Sequence, residues 1–172
     1  MSIIRKIFVS ASAQDDEFTR RTLKDFPNLA PEIVEDGGDL SDRHDLPDAK
    51  QVLFLSHSKG DIVKDCPGTS HDYLCCRYRV INQTQNCPLN CTYCILQFYL
   101  NYPATVIFTN VEEILREAAT KIQRRPRRLF RIGTGELGDS LALGGSRYFA
   151  ERAVEFFAGL PNAVFELKSK TT

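Results

Sequence analysis

Three cysteines, Cys87, Cys91 and Cys94, lie in the stretch NCPLNCTYCILQFYL (residues 86–100) in the pattern C-x3-C-x2-C. Thiolates are soft ligands, and several on one short segment can grip a metal centre. The same spacing also puts three side chains on one helix face, where thiols act as small apolar groups. Asn86, Pro88, Asn90, Thr92 and Tyr93 speak against such a helix: most form helices poorly, and Asn and Pro favour turns. A structural zinc site calls for four ligands, usually in two short-spaced pairs. Only Cys91 and Cys94 make such a pair, and the fourth ligand would come from Cys66, Cys75, Cys76 or His71. An iron–sulfur cluster suits the spacing better, because successive thiolates on a loop wrap one cluster while loop amides donate to its sulfurs. A four-iron cube held by three cysteines leaves one iron open to a further ligand, which is the logic of a catalytic site.

Composition is compatible with that chemistry. The chain has 172 residues, 42% of them hydrophobic and 26% charged, as expected of one globular domain or a core with an appendage. Twenty-two basic residues balance 22 acidic ones, so no global field draws the chain toward nucleic acid or membrane, and basic surface must be local. The N-terminus has too short an apolar run, and turns acidic too soon, for a signal peptide. No apolar run approaches the roughly 18 residues of a membrane span. These features predict a cytoplasmic protein, where six cysteines serve metal binding or catalysis rather than disulfides.

Elements that could position the cysteines follow from periodicity. Residues 6–10, 32–36, 51–58, 77–84, 128–136 and 163–170 read as strands, and 104–110 as extended chain. Helices are predicted over 15–26, 111–123 and 146–160, the second with Asn110 as its cap. The pattern divides into an N-terminal α/β region, residues 1–58, and a second part, 59–172, that carries the cysteine loop, 86–95. From Arg77 onward, strands alternate with helices, the signature of a parallel sheet. A closed barrel of eight such units needs roughly 250 residues, and the last strand has no helix after it, so the chain is expected to be truncated.

The cysteine loop, with Tyr93 as the aromatic of C-x3-C-x-aromatic-C, resembles the radical S-adenosylmethionine superfamily. Three further elements narrow the resemblance: K-G-x-x-V-K-x-C-P-G-T at 59–69, Y-x-C-C at 73–76 and N-C-P-x-x-C-x-Y-C at 86–94. Together they are similar to the spore photoproduct lyases and their DNA-repair-photolyase-like relatives, from about Gln51 to the C-terminus. The resemblance implies an α/β fold: a small N-terminal α/β layer followed by the first three strands of a partial (β/α) radical-SAM barrel. It also implies that Cys87, Cys91 and Cys94 hold a [4Fe–4S] cluster whose open iron binds S-adenosylmethionine. Reductive cleavage would give a 5′-deoxyadenosyl radical for hydrogen abstraction, with lyase-like DNA repair as the activity. DNA or another nucleotide-containing substrate, and a flavodoxin- or ferredoxin-like electron donor, are the implied partners. Tyr93 would lie near the adenine. Gly133, Gly135 and Glu136, in GTGE after the second barrel strand, would meet the methionine amine, since glycine permits close approach and a carboxylate complements an ammonium. Lys170 or Lys168 would pair with the cofactor carboxylate.

The sequence departs from this pattern in one respect. No cysteine follows Cys94, so the thiol hydrogen donor expected beyond the second strand is missing, which supports the chemistry class better than thymine-dimer reversal. A non-catalytic zinc module and an inactive fragment are the alternatives. The basic run Arg124, Arg125, Arg127 and Arg128 suits a nucleic-acid contact, but its place before a strand, away from the expected active face, favours a structural and solvated role. His44, His57 and His71 are expected to be surface or packing residues, and Cys66, Cys75 and Cys76 have no role that spacing assigns.

Overall fold

β-branched and aromatic residues dominate KIFVS and VLFLS, and both form strands in the computed structural model, which describes residues 4–36, 38–68, 78–89 and 91–171. Strand β1 (Lys6–Ser10) runs into helix α1 (Glu17–Lys24), and β2 (Glu32–Val34) returns beside β1 in parallel. β3 (Val52–Ser56) lies on the other side of β1, also parallel. Next come β4 (Val63–Asp65), β5 (Arg79–Ile81), β6 (Thr84–Gln85), the single-turn helix α2 (Leu96–Tyr99) and β7 (Thr105–Phe108). The chain continues through α3 (Val111–Gln123), β8 (Phe130–Thr134), α4 (Gly144–Ala158) and β9 (Ala163–Glu166).

Two sheets result. The first has the order β2-β1-β3-β7-β6 and the second β4-β5-β8-β9. In the second, β5, β8 and β9 are parallel and β4 is antiparallel at the edge. These three parallel strands are the ones expected to begin a barrel.

One expectation needs correction. The single strand predicted over 77–84 is two short strands in different sheets, broken at the buried residues Asn82 and Gln83. Gln83 turns the corner because its carbonyl accepts from the Phe108 amide at 2.9 Å, while its side-chain amide donates to the Phe108 carbonyl at 3.1 Å. Residues 105–108, read as extended chain, form a strand that pairs in parallel with β3 and antiparallel with β6, so β6 and β7 belong to the first sheet. Smaller differences are at element ends. Asn110 stands at the start of α3, but its side chain bonds the Ser58 amide and Glu113 rather than capping the helix.

One apolar core joins the sheets. Ile7, Leu53 and Ile107 from the first meet Ile81, Phe130 and Ile132 from the second, with α1, α3 and α4 supplying Phe18, Leu115 and Phe149. The helical spacing of Val111, Ile114, Leu115, Ala118 and Ile122 is realised in full, since all five are buried. Phe8, Val52, Phe54 and Val106 project from the opposite face of the first sheet and pack with Leu40 and Ala104 in a second cluster. No described helix is long and apolar enough to cross a membrane.

Candidate functional site

The segment after β6 leaves the first sheet as an irregular loop, so the three cysteines do not share a helix face. Its entry is fixed at Asn86, whose φ of 67° makes it the single non-glycine residue with positive φ among those described. Asparagine tolerates this region because its short side chain bonds locally, and here Asn86 Oδ1 accepts the Cys87 amide at 2.8 Å. Cys87 is buried, and its sulfur accepts from the Leu89 amide at 3.4 Å. Cys91 and Cys94 are half-buried and joined by a turn, the Cys94 amide donating to the Cys91 carbonyl at 3.0 Å. The Gln97 side chain donates to that same Cys91 carbonyl at 2.6 Å. All three thiols are free. Burial pushes the Cys87 thiol up from its ordinary value, while the Leu89 amide pulls the other way.

All three cysteines line one cleft of about 610 Å3, within the range of pockets that enclose a small ligand or cofactor. Its other walls come from the C-terminal ends of β8 and β9: Glu136, Gly138 and Asp139 on one side, residues 167–170 on the other. This is the end of a parallel sheet where α/β proteins collect ligand-binding residues. Tyr93 is exposed over the mouth, with the Lys170 ammonium 5.0 Å from its ring centroid. The Tyr93 hydroxyl, and then the nearby Cys91 and Cys94, push the Lys170 ammonium up from its ordinary value.

Glu136, Tyr93 and Lys170 thus meet the three cysteines in one place, as does Lys168. Gly133 and Gly135 are not among the residues that line the cleft. A side chain at Gly133 would run into the Tyr78 hydroxyl and lie 2.6 Å from the Glu166 carbonyl, so its smallness serves packing between strands. Gly135, at φ +26°, starts the turn. Sequence reasoning missed Asp139. Its carboxylate accepts from the Lys170 amide at 2.6 Å and the Ser169 hydroxyl at 2.9 Å, tying the end of β9 to the loop after β8. Only the aspartate's place near GTGE could have pointed to it.

Solved structures with the same architecture exist. A spore photoproduct lyase variant with AdoMet and a dinucleoside spore photoproduct bound matches 94% of this chain at a TM-score of 0.74 and 16% identity. Spore photoproduct lyase complexed with the dinucleoside spore photoproduct matches 96%, again at 0.74 and 16%. The chain shares the fold of spore photoproduct lyase. It spans about half the length of those proteins, 48% and 49%. No protein-family model matches the sequence, and no curated protein does. The expected α/β fold, about half of that of spore photoproduct lyase, therefore holds, with β5, β8 and β9 as the three parallel strands of the second sheet.

The donor set fits an iron–sulfur cluster in its chemistry: three free thiols from one loop face a common cleft, and a backbone amide already donates to one sulfur. Among the described residues, no three His, Cys, Asp or Glu side chains converge on a single point as ligands of one ion. Elsewhere, the basic run lies at the opposite end of β8, where Arg128 stacks 5.2 Å from the Phe130 ring centroid and Arg124, Arg125 and Arg127 are exposed. His44 is exposed. His57 is half-buried and bonds Asp16 at 2.7 Å, a contact across 41 residues that local sequence could not reveal. Cys66 is half-buried away from the cleft, and His71, Cys75 and Cys76 lie outside the described residues.

Proposed function

We propose that the chain binds a [4Fe–4S] cluster through Cys87, Cys91 and Cys94, and S-adenosylmethionine in the adjoining cleft, for hydrogen abstraction from a nucleotide-containing substrate. The observation that carries this reading is the shared cleft: three thiols on one wall, two carboxylates and two ammonium groups on the others. When bound and reduced, the cluster supplies the electron that cleaves the cofactor's sulfonium to methionine and a 5′-deoxyadenosyl radical. Glu136 would hold the cofactor's ammonium and Lys170 or Lys168 its carboxylate, each a charge-assisted contact. Tyr93 offers an exposed aromatic face for the adenine. Asp139 positions Lys170 through the backbone. Likeness to an enzyme solved with a dinucleoside photoproduct supports a nucleotide-containing substrate, DNA among them, and a lyase-type activity. Lys168, over the Tyr78 ring, puts a cationic group on the side of the second sheet where Arg131 is ion-paired with Glu166.

Anaerobic reconstitution with iron and sulfide tests the assignment. The wild type is expected to turn brown, to hold about four irons per chain, and to give a reduced-cluster electron paramagnetic resonance signal. Cys91→Ala is expected to lose both colour and signal. Uptake of zinc in place of iron, or a colourless wild type after full loading, would sink the proposal.

A further inference from the structure

Lys50 lies 37 residues before the first cysteine of the loop, in the turn that enters β3 of the first sheet, yet its ammonium is committed to the cysteine loop. It donates to the Cys87 carbonyl at 3.1 Å and to the Leu89 carbonyl at 2.6 Å. No carboxylate pairs with its ammonium among the described residues. Ammonium is strongly hydrated and normally left in water, so a lysine held by two neutral carbonyls instead of an acid shapes the backbone that presents them. Its mounting is rigid. Asp48 Oδ1 accepts the Lys50 amide at 2.8 Å in the turn Ala49–Gln51, and the next residues, Val52 and Leu53, are fully buried in β3.

The far end of the contact is equally constrained. Every polar handle of Cys87 is engaged: its amide by Asn86, its carbonyl by Lys50, its sulfur by the Leu89 amide. Pro88 fixes one φ between the two carbonyls. Among the described residues, Cys91 and Cys94 have no such anchor to the first sheet. The loop is therefore asymmetric, with one ligand preset and two left to adjust. We infer that Lys50 is a positioning residue for the cysteine loop: it presets Cys87 for the cluster and leaves a fixed positive charge beside a centre that gathers thiolate charge. This rests on the reading of Cys87, Cys91 and Cys94 as cluster ligands. Its consequence is that the N-terminal layer is a working part of the metal site, not an appendage to it. A nearby fixed cation favours the reduced, more negative state of such a centre.

Two readouts separate this inference from the reading it rests on. The first uses the cluster-free chain: peptide-mapped alkylation of each cysteine, with Cys66 as internal reference. In the wild type, Cys87 should react more slowly than Cys91 and Cys94. In Lys50→Met the Cys87 rate should rise about tenfold or more as the loop opens locally, with circular dichroism and the Cys66 rate unchanged. Lys50→Arg should restore much of the protection, because it keeps charge and donors; Lys50→Gln covers the case in which the methionine variant fails to fold. The second readout is a redox titration of the reconstituted protein followed by electron paramagnetic resonance. At a fixed potential near the midpoint, the ratio of reduced to oxidised cluster should fall several-fold in Lys50→Met and recover in Lys50→Arg. Unchanged Cys87 labelling in Lys50→Met, or an unmoved reduced-to-oxidised ratio, would overturn the inference even if the wild type carries a cluster. A wild type that takes up no iron would instead remove the cluster assignment, while the labelling still decides whether Lys50 holds the loop.

Discussion

The two sheets share a core but are finished differently. The first is covered on both faces: β1 and β3 are buried along nearly their whole length, with one apolar cluster on each side. Among the described residues, the second is covered by helices on one face, and on the other Tyr78 and Val80 are buried while its β8–β9 end is exposed. Its last strand, β9, is partly or fully exposed throughout, and Val164, Arg131 and Glu166 face outward. A parallel sheet ordinarily has both faces buried, and the face of β8 and β9 turned away from the helices departs from that rule in this chain. The cysteine loop belongs by its strands to the closed sheet and by its cleft to the open one. The more covered sheet thus carries the cysteine loop, and the less covered one offers the groups around its cleft.

The largest effect should separate the sheets outright. Leu55→Ala, at a fully buried position of β3, is expected to cost about 2–5 kcal/mol in urea unfolding, whereas Val164→Ala on the open face should stay within about 0.5 kcal/mol. Equal losses at the two positions would mean that the face of β9 is covered in solution. The next effect sharpens the contrast inside the second sheet. Gly133→Ala drives a methyl group into Tyr78 and the Glu166 carbonyl and should cost about 1–3 kcal/mol, while Gly60→Ala, which meets nothing within 4 Å, should be neutral or stabilising by up to about 1 kcal/mol. Thermal melts of the two variants measure this. If Gly133→Ala is harmless, the inner strands are as open as the edge.

The smallest effect concerns the edge of the closed sheet. Lys6 and Arg43 bridge Glu32 on β2 to Asp45 in the covering loop. The Arg43 guanidinium lowers Glu32 and holds Asp45 at about 2. Because these folded-state values are depressed, their stabilisation is present above the ordinary carboxylate range and is lost as pH falls through about 2. Both carboxylates are exposed, so the effect is small and screened by salt. In acid titrations from about pH 4 to about pH 2, Asp45→Asn should lose less stability than the wild type. Identical acid profiles would remove the bridge from the account of that edge.

What could be read from the chain alone was local. α3 was legible because five apolar residues at helical spacing needed no partner to declare themselves, and Pro88 with its neighbours declared a loop. Glu136, Lys170 and Tyr93 were legible through their order in a family-like pattern, and the structure gathers them in one cleft. Contacts between distant segments were not legible. The break at Asn82 and Gln83 depends on Phe108, the place of β7 depends on β3, and the reach of Lys50 depends on both. Gly133 shows the remaining difficulty. A glycine in a strand fits close approach by a cofactor or by a neighbouring side chain, and only the position of Tyr78 chose between them.

The return of β7 to the first sheet also fixes an order of events. β6 and β7 close the cysteine loop from its two sides, and β7 docks on β3, some 50 residues earlier in the chain. Lys50, at the foot of β3, completes the enclosure. Long-range pairing of this kind is slow to form, and until it forms the three thiols are merely neighbours on a floppy segment. On the proposed reading, the loop that would hold the cluster is closed at both ends only by pairings of β6 with β7 and of β7 with β3, so the site would depend on a strand far from it in sequence.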